Sequence, residues 1–305
     1  MGSRSSQLRA AAGLPGAAVA MVLGGSFSLQ FGAAFAALLF AYVGPVGAVT
    51  LRLVVAAVLL LVIVRPRLRR HRRADLAVVV GFGLVLAVMN ACFYEAILRL
   101  PIGVAVTLEF LGPLGLALAT SRRLLDLVWV ACAAGGVFLL GGEAPNGLDW
   151  VGVGFVLLAA CCWVGYILLN AQTGRRFARN DGLALAMVVG AVAILPFGIA
   201  AAGSGLVVPT VFGLGALVGL MSSAVPYSLD LLALRRISPG TFGILMSLEP
   251  AVAALAGAVV LDQRLAPLQF VAIGLVVVAS AGVTMRARRQ RTAAALEQEA
   301  ERYLG

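Results

Sequence analysis

The sequence predicts an all-α membrane protein, ten transmembrane helices arranged as an inverted repeat of five plus five. Three observations predict it. First, 62% of the residues are hydrophobic, 12% are charged and the mean hydropathy is +1.04. A soluble chain of 305 residues could not hide that much apolar surface. Second, the apolar residues fall into ten runs, most of them near the roughly 20 residues that cross about 30 Å of hydrocarbon. Third, a register repeats. Ala96, Arg99, Gly103 and Pro113 recur 137 residues later as Ala233, Arg236, Gly240 and Pro250, so both halves carry A-x2-R-x3-G-x9-P.

Taken in order, the chain opens on a polar arm, residues 1–12, with Arg4 and Arg9. Its MGSRSS start fits an N-myristoylation pattern, but a chain with ten spans needs no lipid anchor. The run behind it is too long for the apolar region of a cleaved signal peptide. The runs cover 15–36, 44–64, 75–98, 101–120, 124–142, 149–171, 183–203, 209–233, 239–261 and 266–286. The repeat continues past a four-residue insertion, where RLLDLVWVA (Arg123 to Ala131) lies over RLAPLQFVA (Arg264 to Ala272). Residues 1–143 are therefore the arm and first five-helix unit, 144–286 the second unit, and 287–305 a basic-then-acidic cytoplasmic tail.

Five spans per unit is odd, so the second copy lies upside down relative to the first. Arginine distribution orients the bundle. With the N-terminus inside, the cytoplasmic segments collect Arg4, Arg9, the RPRLRRHRR loop (65–73), Arg122, Arg123, Arg175, Arg176, Arg179, Arg235, Arg236 and the tail. The opposite face has only Arg99 and Arg264 near its loops, with Glu143 and Asp149. Both termini are expected to be cytoplasmic.

Several function classes drop out. The net charge of +10 comes from arginines between apolar runs and at the ends, which is topology information and no nucleic-acid footprint. Cys92, Cys132, Cys161 and Cys162 all fall within apolar runs without metal-ligand spacing, and His71 stands alone in an arginine loop. No phosphate-cradling loop, no nucleophile–base constellation and no cofactor motif is present, so ATP-driven transport within the chain is excluded. A membrane enzyme would need acidic or histidine-bearing surface loops, and these loops are short or arginine-rich. Nothing in the sequence sets an oligomeric state.

The residues that could carry chemistry are acids in oil. Glu249 sits mid-run beside Pro250, and Glu109 lies four before Pro113. A carboxyl at membrane depth costs on the order of 3 kcal/mol and marks a functional site by default. In repeat register the two acids differ by three residues, close to one turn, so they face the same way about 12 and 15 Å from opposite surfaces. They line a central cavity for an ammonium group or a proton, or each is a neutral acid bonded to a carbonyl that a proline leaves free. Pro113 and Pro250 should kink their helices and let them flex. Arg52 holds a substrate carboxylate, or it pairs with Glu95 or Glu109, or snorkels outward; pairing is the simpler reading. Asp230 is a gate or the partner of Arg235 or Arg236, with the ion pair the simpler reading. Trp163 and Tyr166, three apart, cover a cation or pack. Asn90, Tyr94, Tyr227, Gln30, Ser26, Ser28, Asn170 and Ser247 supply polar groups, most of which interhelix hydrogen bonding explains.

Four stretches carry a family resemblance: PIGVAVTLEFLGPLGLAL (101–118), SRR (121–123), PYSLDLLAL (226–234) and TFGILMSLEPAVAALAG (241–257). The chain resembles the EamA-type branch of the drug/metabolite transporter superfamily, most of all its threonine/homoserine exporters. The resemblance implies a ten-helix inverted repeat, a central cavity, and secondary export of small amino acids across the cytoplasmic membrane by alternating access, coupled to protons. Asp230 stands where such exporters tend to carry Glu, which preserves charge. The partners implied are a small-molecule substrate, a proton and membrane lipid. The rival within the same fold is efflux of drugs or other metabolites.

Overall fold

The computed structural model describes residues 16–66, 72–119, 149–177, 181–234 and 239–282, with 128, 131, 132, 135, 136, 139, 236, 237 and 285. The N-terminal arm, most of the arginine loop, most of the fifth run, Arg235 and the tail lie outside the described residues, as does the side chain of Tyr227. The described residues are helical and include no strand. Among the described residues seven helical spans are long and apolar enough to cross a membrane, and two shorter apolar ones are Ile102–Leu116 and Pro267–Gly282.

Each helix boundary has a local cause. Helix α1 (Gly16–Leu38) meets α2 (Phe40–Val64) through a turn that closes at Gly44, whose φ of 65° suits glycine. Pro45 follows, its missing N–H harmless at a helix start. Helix α3 (Arg73–Arg99) stops at Leu100, held extended by Pro101. The next span is broken in two: α4 (Ile102–Glu109) and α5 (Leu111–Ala119) flank a turn at Phe110, because Pro113 has no N–H for the Glu109 carbonyl. Asp149 caps α6 (Trp150–Arg176), accepting from the backbone N–H groups of Val151 at 2.9 Å and Gly152 at 3.0 Å. This helix runs five residues beyond the expected end at 171.

Helix α7 (Asp181–Ala202) absorbs Pro196 and ends in a 3-10 turn at Gly203–Val207. The eighth run is not one regular helix. A π turn, Leu220–Ala224, joins α8 (Pro209–Gly219) to α9 (Val225–Leu234). The ninth span is broken like the fourth: α10 (Pro239–Met246) and α11 (Glu249–Leu261) flank Ser247 and Leu248, just ahead of Pro250. Helix α12 is Pro267–Gly282.

Packing crosses between the two halves of the chain. Helix α3 lies along α6 while α9 lies along α1; α5 and α4 meet α6 while α11 meets α1; α2 meets α7, and α4 meets α11. Every one of these contacts has its counterpart when the halves are exchanged. Small residues permit the close approaches. A Cβ on Gly83 of α3 would collide with the Ala186 carbonyl and Val189 of α7, whereas Gly81, two residues earlier, has open space. We therefore expect Gly83→Ala to lower stability by about 1–3 kcal/mol, since backbone cannot give way. Gly81→Ala should be neutral or stabilising by up to about 1 kcal/mol through helix propensity. Thermal unfolding of the two purified proteins in detergent checks the opposite signs.

A candidate substrate site between the two halves

Carboxyl groups from both halves converge inside the bundle. Glu249 is the first residue of α11 and is buried, and its Oε1 has no hydrogen-bond partner. Ser26 of α1 sits beside it, and it interacts electrostatically with Asp230 of α9 and Glu109 of α4. Glu109 ends α4 among buried neighbours yet keeps part of its own surface accessible. Arg52 of α2 is its electrostatic partner. A bond-free oxygen at full burial is costly unless something fills the position. Three acids and one guanidinium in one neighbourhood leave room for positive charge.

Pro226 explains how Arg52 is held. Lacking an N–H, Pro226 can reach neither Ser222 O, its α-helical acceptor, nor Met221 O, its π-helical one. The first carbonyl accepts from Arg52 Nη2 at 3.4 Å, the second from Ser28 Oγ of α1 at 2.7 Å. Arg52 Nη1 donates to Tyr94 Oη at 3.3 Å, and the guanidinium carbon lies 5.6 Å from the Tyr94 ring centre. Tyr94 is fully buried against Phe40 and Phe93. The arginine thus ties α2 to α3 and to the π turn. Ser222 and Ser223, both buried, have hydroxyls without partners, with the Ser222 hydroxyl against Gly32 of α1. Sequence reasoning passed over both; the signal was a proline inside an apolar run that also holds adjacent serines.

The expected pairing of Arg52 with Glu95 and that of Asp230 with Arg236 do not form, while Arg235, the other partner expected for Asp230, lies outside the described residues. Glu95 pairs with Arg99, one turn along its own helix, at 2.6 Å, so it is not the partner of Arg52. The i,i+4 geometry reaches Arg99 without crossing the bundle. Asp230 does not meet Arg236: its Oδ1 is buried without a hydrogen bond and lies where a side chain on Gly25 would touch it. Helix α9 turns this residue toward α1 and the other acids.

The remaining candidates spread out. Trp163 meets the Phe110 ring edge-on, centres 5.0 Å apart, next door to Glu109. Tyr166 packs instead on Phe82, at 5.4 Å, in a separate cluster with Val79 and Leu86. Asn90 is buried and donates to Leu86 O at 2.8 Å, satisfying its amide on its own helix. Ser247 donates to Gly243 O at 3.0 Å and bonds Ser280 Oγ of α12 at 3.1 Å. No group of three or more metal-ligating side chains occurs among the described residues.

Comparison with known proteins decides the family. The threonine/homoserine exporter RhtA of Escherichia coli (strain K12) is 38% identical over 265 residues, 86% of this chain and 90% of that protein. The chain belongs to the EamA-like transporter family. The RhtA of Salmonella typhimurium (strain LT2) is likewise 38% identical, over 268 residues. The family's own model matches residues 150–285, the half that contains Asp230 and Glu249. A solved structure shares the fold with a TM-score of 0.59 and 19% identity, covering 89% of this chain and 98% of that one. Members of the family are transporters and not enzymes, and the apolar helices make this one an integral membrane protein.

Proposed function

We propose that this protein is a secondary exporter of threonine, homoserine or a similar small amino acid, working by alternating access across the cytoplasmic membrane. The observation that carries the proposal is the convergence of Glu109, Glu249 and Asp230 beside Arg52, in a chain 38% identical to threonine/homoserine exporters. An amino acid brings an ammonium group to such a site. Glu249 and Glu109 hold that ammonium or, in its absence, a proton, which couples export to the proton gradient. Arg52 balances Glu109 and orients it. Asp230 adds negative charge near one mouth of the site, and Trp163 shapes its wall beside Glu109. Asn90 and Tyr166 support the neighbouring helices.

The exchangeable contacts between the halves support an inverted repeat of residues 1–143 and 144–286, the apolar run 124–142 supports a fifth helix and so ten in all, and the arginine bias supports cytoplasmic termini. The breaks ahead of Pro113 and Pro250 support flexing of the fourth and ninth spans as the halves rock. Everted membrane vesicles with an imposed pH gradient and labelled threonine or homoserine test the function. Gradient-dependent uptake, blocked by unlabelled homoserine, is the expected result. Uptake of hydrophobic cations in place of any amino acid would assign the chain to drug efflux through the same fold.

A further inference from the structure

At one end of the bundle a side chain from the second half is hydrogen-bonded to the backbone of the first. Pro101 starts the fourth span, so the Ile102 N–H points out of the first turn of α4 with no carbonyl before it to bond. Gln263, in the loop after α11, fills the gap: its Oε1 accepts from Ile102 N at 3.0 Å. The loop is built for this. Asp262 takes a left-handed conformation (φ 51°), which turns the Gln263 N–H back to Gly257 O at 3.1 Å. Gly257 is the residue whose missing side chain leaves space for both the Gln263 amide and Ile102. One turn inward, a Cβ on Gly103 would lie 2.8 Å from the Ala254 Cβ, so α4 and α11 touch here.

The mirror-image bond cannot form at the opposite end. In repeat register Ile102 falls on Pro239, which has no N–H to donate, and Gln263 falls on Arg122, which has no acceptor. Donor and acceptor are both lost. A transporter built from two inverted copies has two closed states related by exchange of the halves. Of the Ile102–Gln263 pair and its register equivalent, only the first has the donor and acceptor for the bond.

We propose that Gln263 is a one-sided latch that biases the resting protein toward the state closed at its Ile102 end. The proposal rests on the inverted-repeat reading above. Substrate entering from the other end must supply the interaction that opens it. Losing one acceptor from a half-buried N–H should shift the closed-to-open ratio about fivefold.

The test reads the closed contact directly. Ala254→Cys places a thiol under Gly103, and its rate of reaction with a maleimide is measured on purified protein in nanodiscs. Protein without the added cysteine gives the background from the four native ones. Labelling should be about fivefold faster when Gln263→Leu is added, and slow again with Gln263→Glu, which restores an acceptor. Equal rates in all three proteins, or a Glu variant as fast as the Leu variant, would overturn the latch. A second reading needs no introduced thiol: the ratio of substrate KM values at the two membrane faces should move about fivefold in Gln263→Leu alone, and an unchanged ratio overturns the bias. Labelling requires no transported amino acid, so it stands even if the substrate proposed above is wrong.

Discussion

Glu249→Gln is expected to lower the initial rate of threonine or homoserine uptake into everted vesicles by about 100-fold. Glutamine keeps the shape of the side chain, and Ser26 can still sit beside it, so the packing at the start of α11 survives. What is lost is the negative charge. An ammonium in a dry site bound by a carboxylate gains a charge-assisted hydrogen bond of about 2.5–3 kcal/mol, and each 1.4 kcal/mol is tenfold. The protein should remain folded, because Oε1 has no partner to lose and glutamine can still bond Ser26. Counterflow, in which unlabelled substrate inside drives exchange with labelled substrate outside, should fail with the gradient-driven reaction, since both need the ammonium to be held. Glu109→Gln should be milder, about tenfold, because its charge is already partly balanced by Arg52. A normal rate from Glu249→Gln protein would remove that residue from the site.

Much of this arrangement was legible in the sequence because hydrocarbon punishes polar groups so heavily. Glu109 and Glu249 stand out in the sequence as ionisable groups at membrane depth, and they interact electrostatically in the folded chain. Pro113 and Pro250 were chosen for lacking a donor, and helix breaks precede both. Glu109 was legible as a partner of Arg52, but the Tyr94 hydroxyl and the Ser222 carbonyl were not, nor was the direction of Asp230. A helix that is apolar all round carries no stripe marking which face turns inward, so the direction of Asp230 toward Gly25 had no signature. The π turn was legible in principle, since Pro226 orphans two carbonyls wherever it lies in a helix. Which side chains claim those carbonyls depends on where α1 and α2 pass, and that is tertiary information. Gln263 drew no notice for the same reason. Its role depends on a helix start 161 residues away.

Arg52→Gln should give the largest loss of stability of any single substitution in the site, on the order of 3 kcal/mol, read as a lower Tm of purified protein in detergent. Arg52 is 8% exposed, and its guanidinium joins three elements by reaching Tyr94 of α3 and the Ser222 carbonyl of the π turn. Removing it leaves that carbonyl without the donor that replaces the one Pro226 lacks. It also leaves Glu109 without its positive neighbour. These two losses can be separated. In the double variant Arg52→Gln with Glu109→Gln the carbonyl is still deprived, but position 109 no longer carries a carboxylate that has lost its positive neighbour. The double variant should therefore be more stable than Arg52→Gln alone, by about 1–2 kcal/mol of coupling. Glu109→Gln alone should change Tm little, because the arginine keeps both of its neutral acceptors. If the two substitutions add without coupling, Arg52 serves only as a tether, and charge balance at Glu109 has to come from the substrate or a proton. If the double variant regains full stability, the tether contributes little and the electrostatic attraction to Glu109 is the reason a guanidinium is buried in this helix at all.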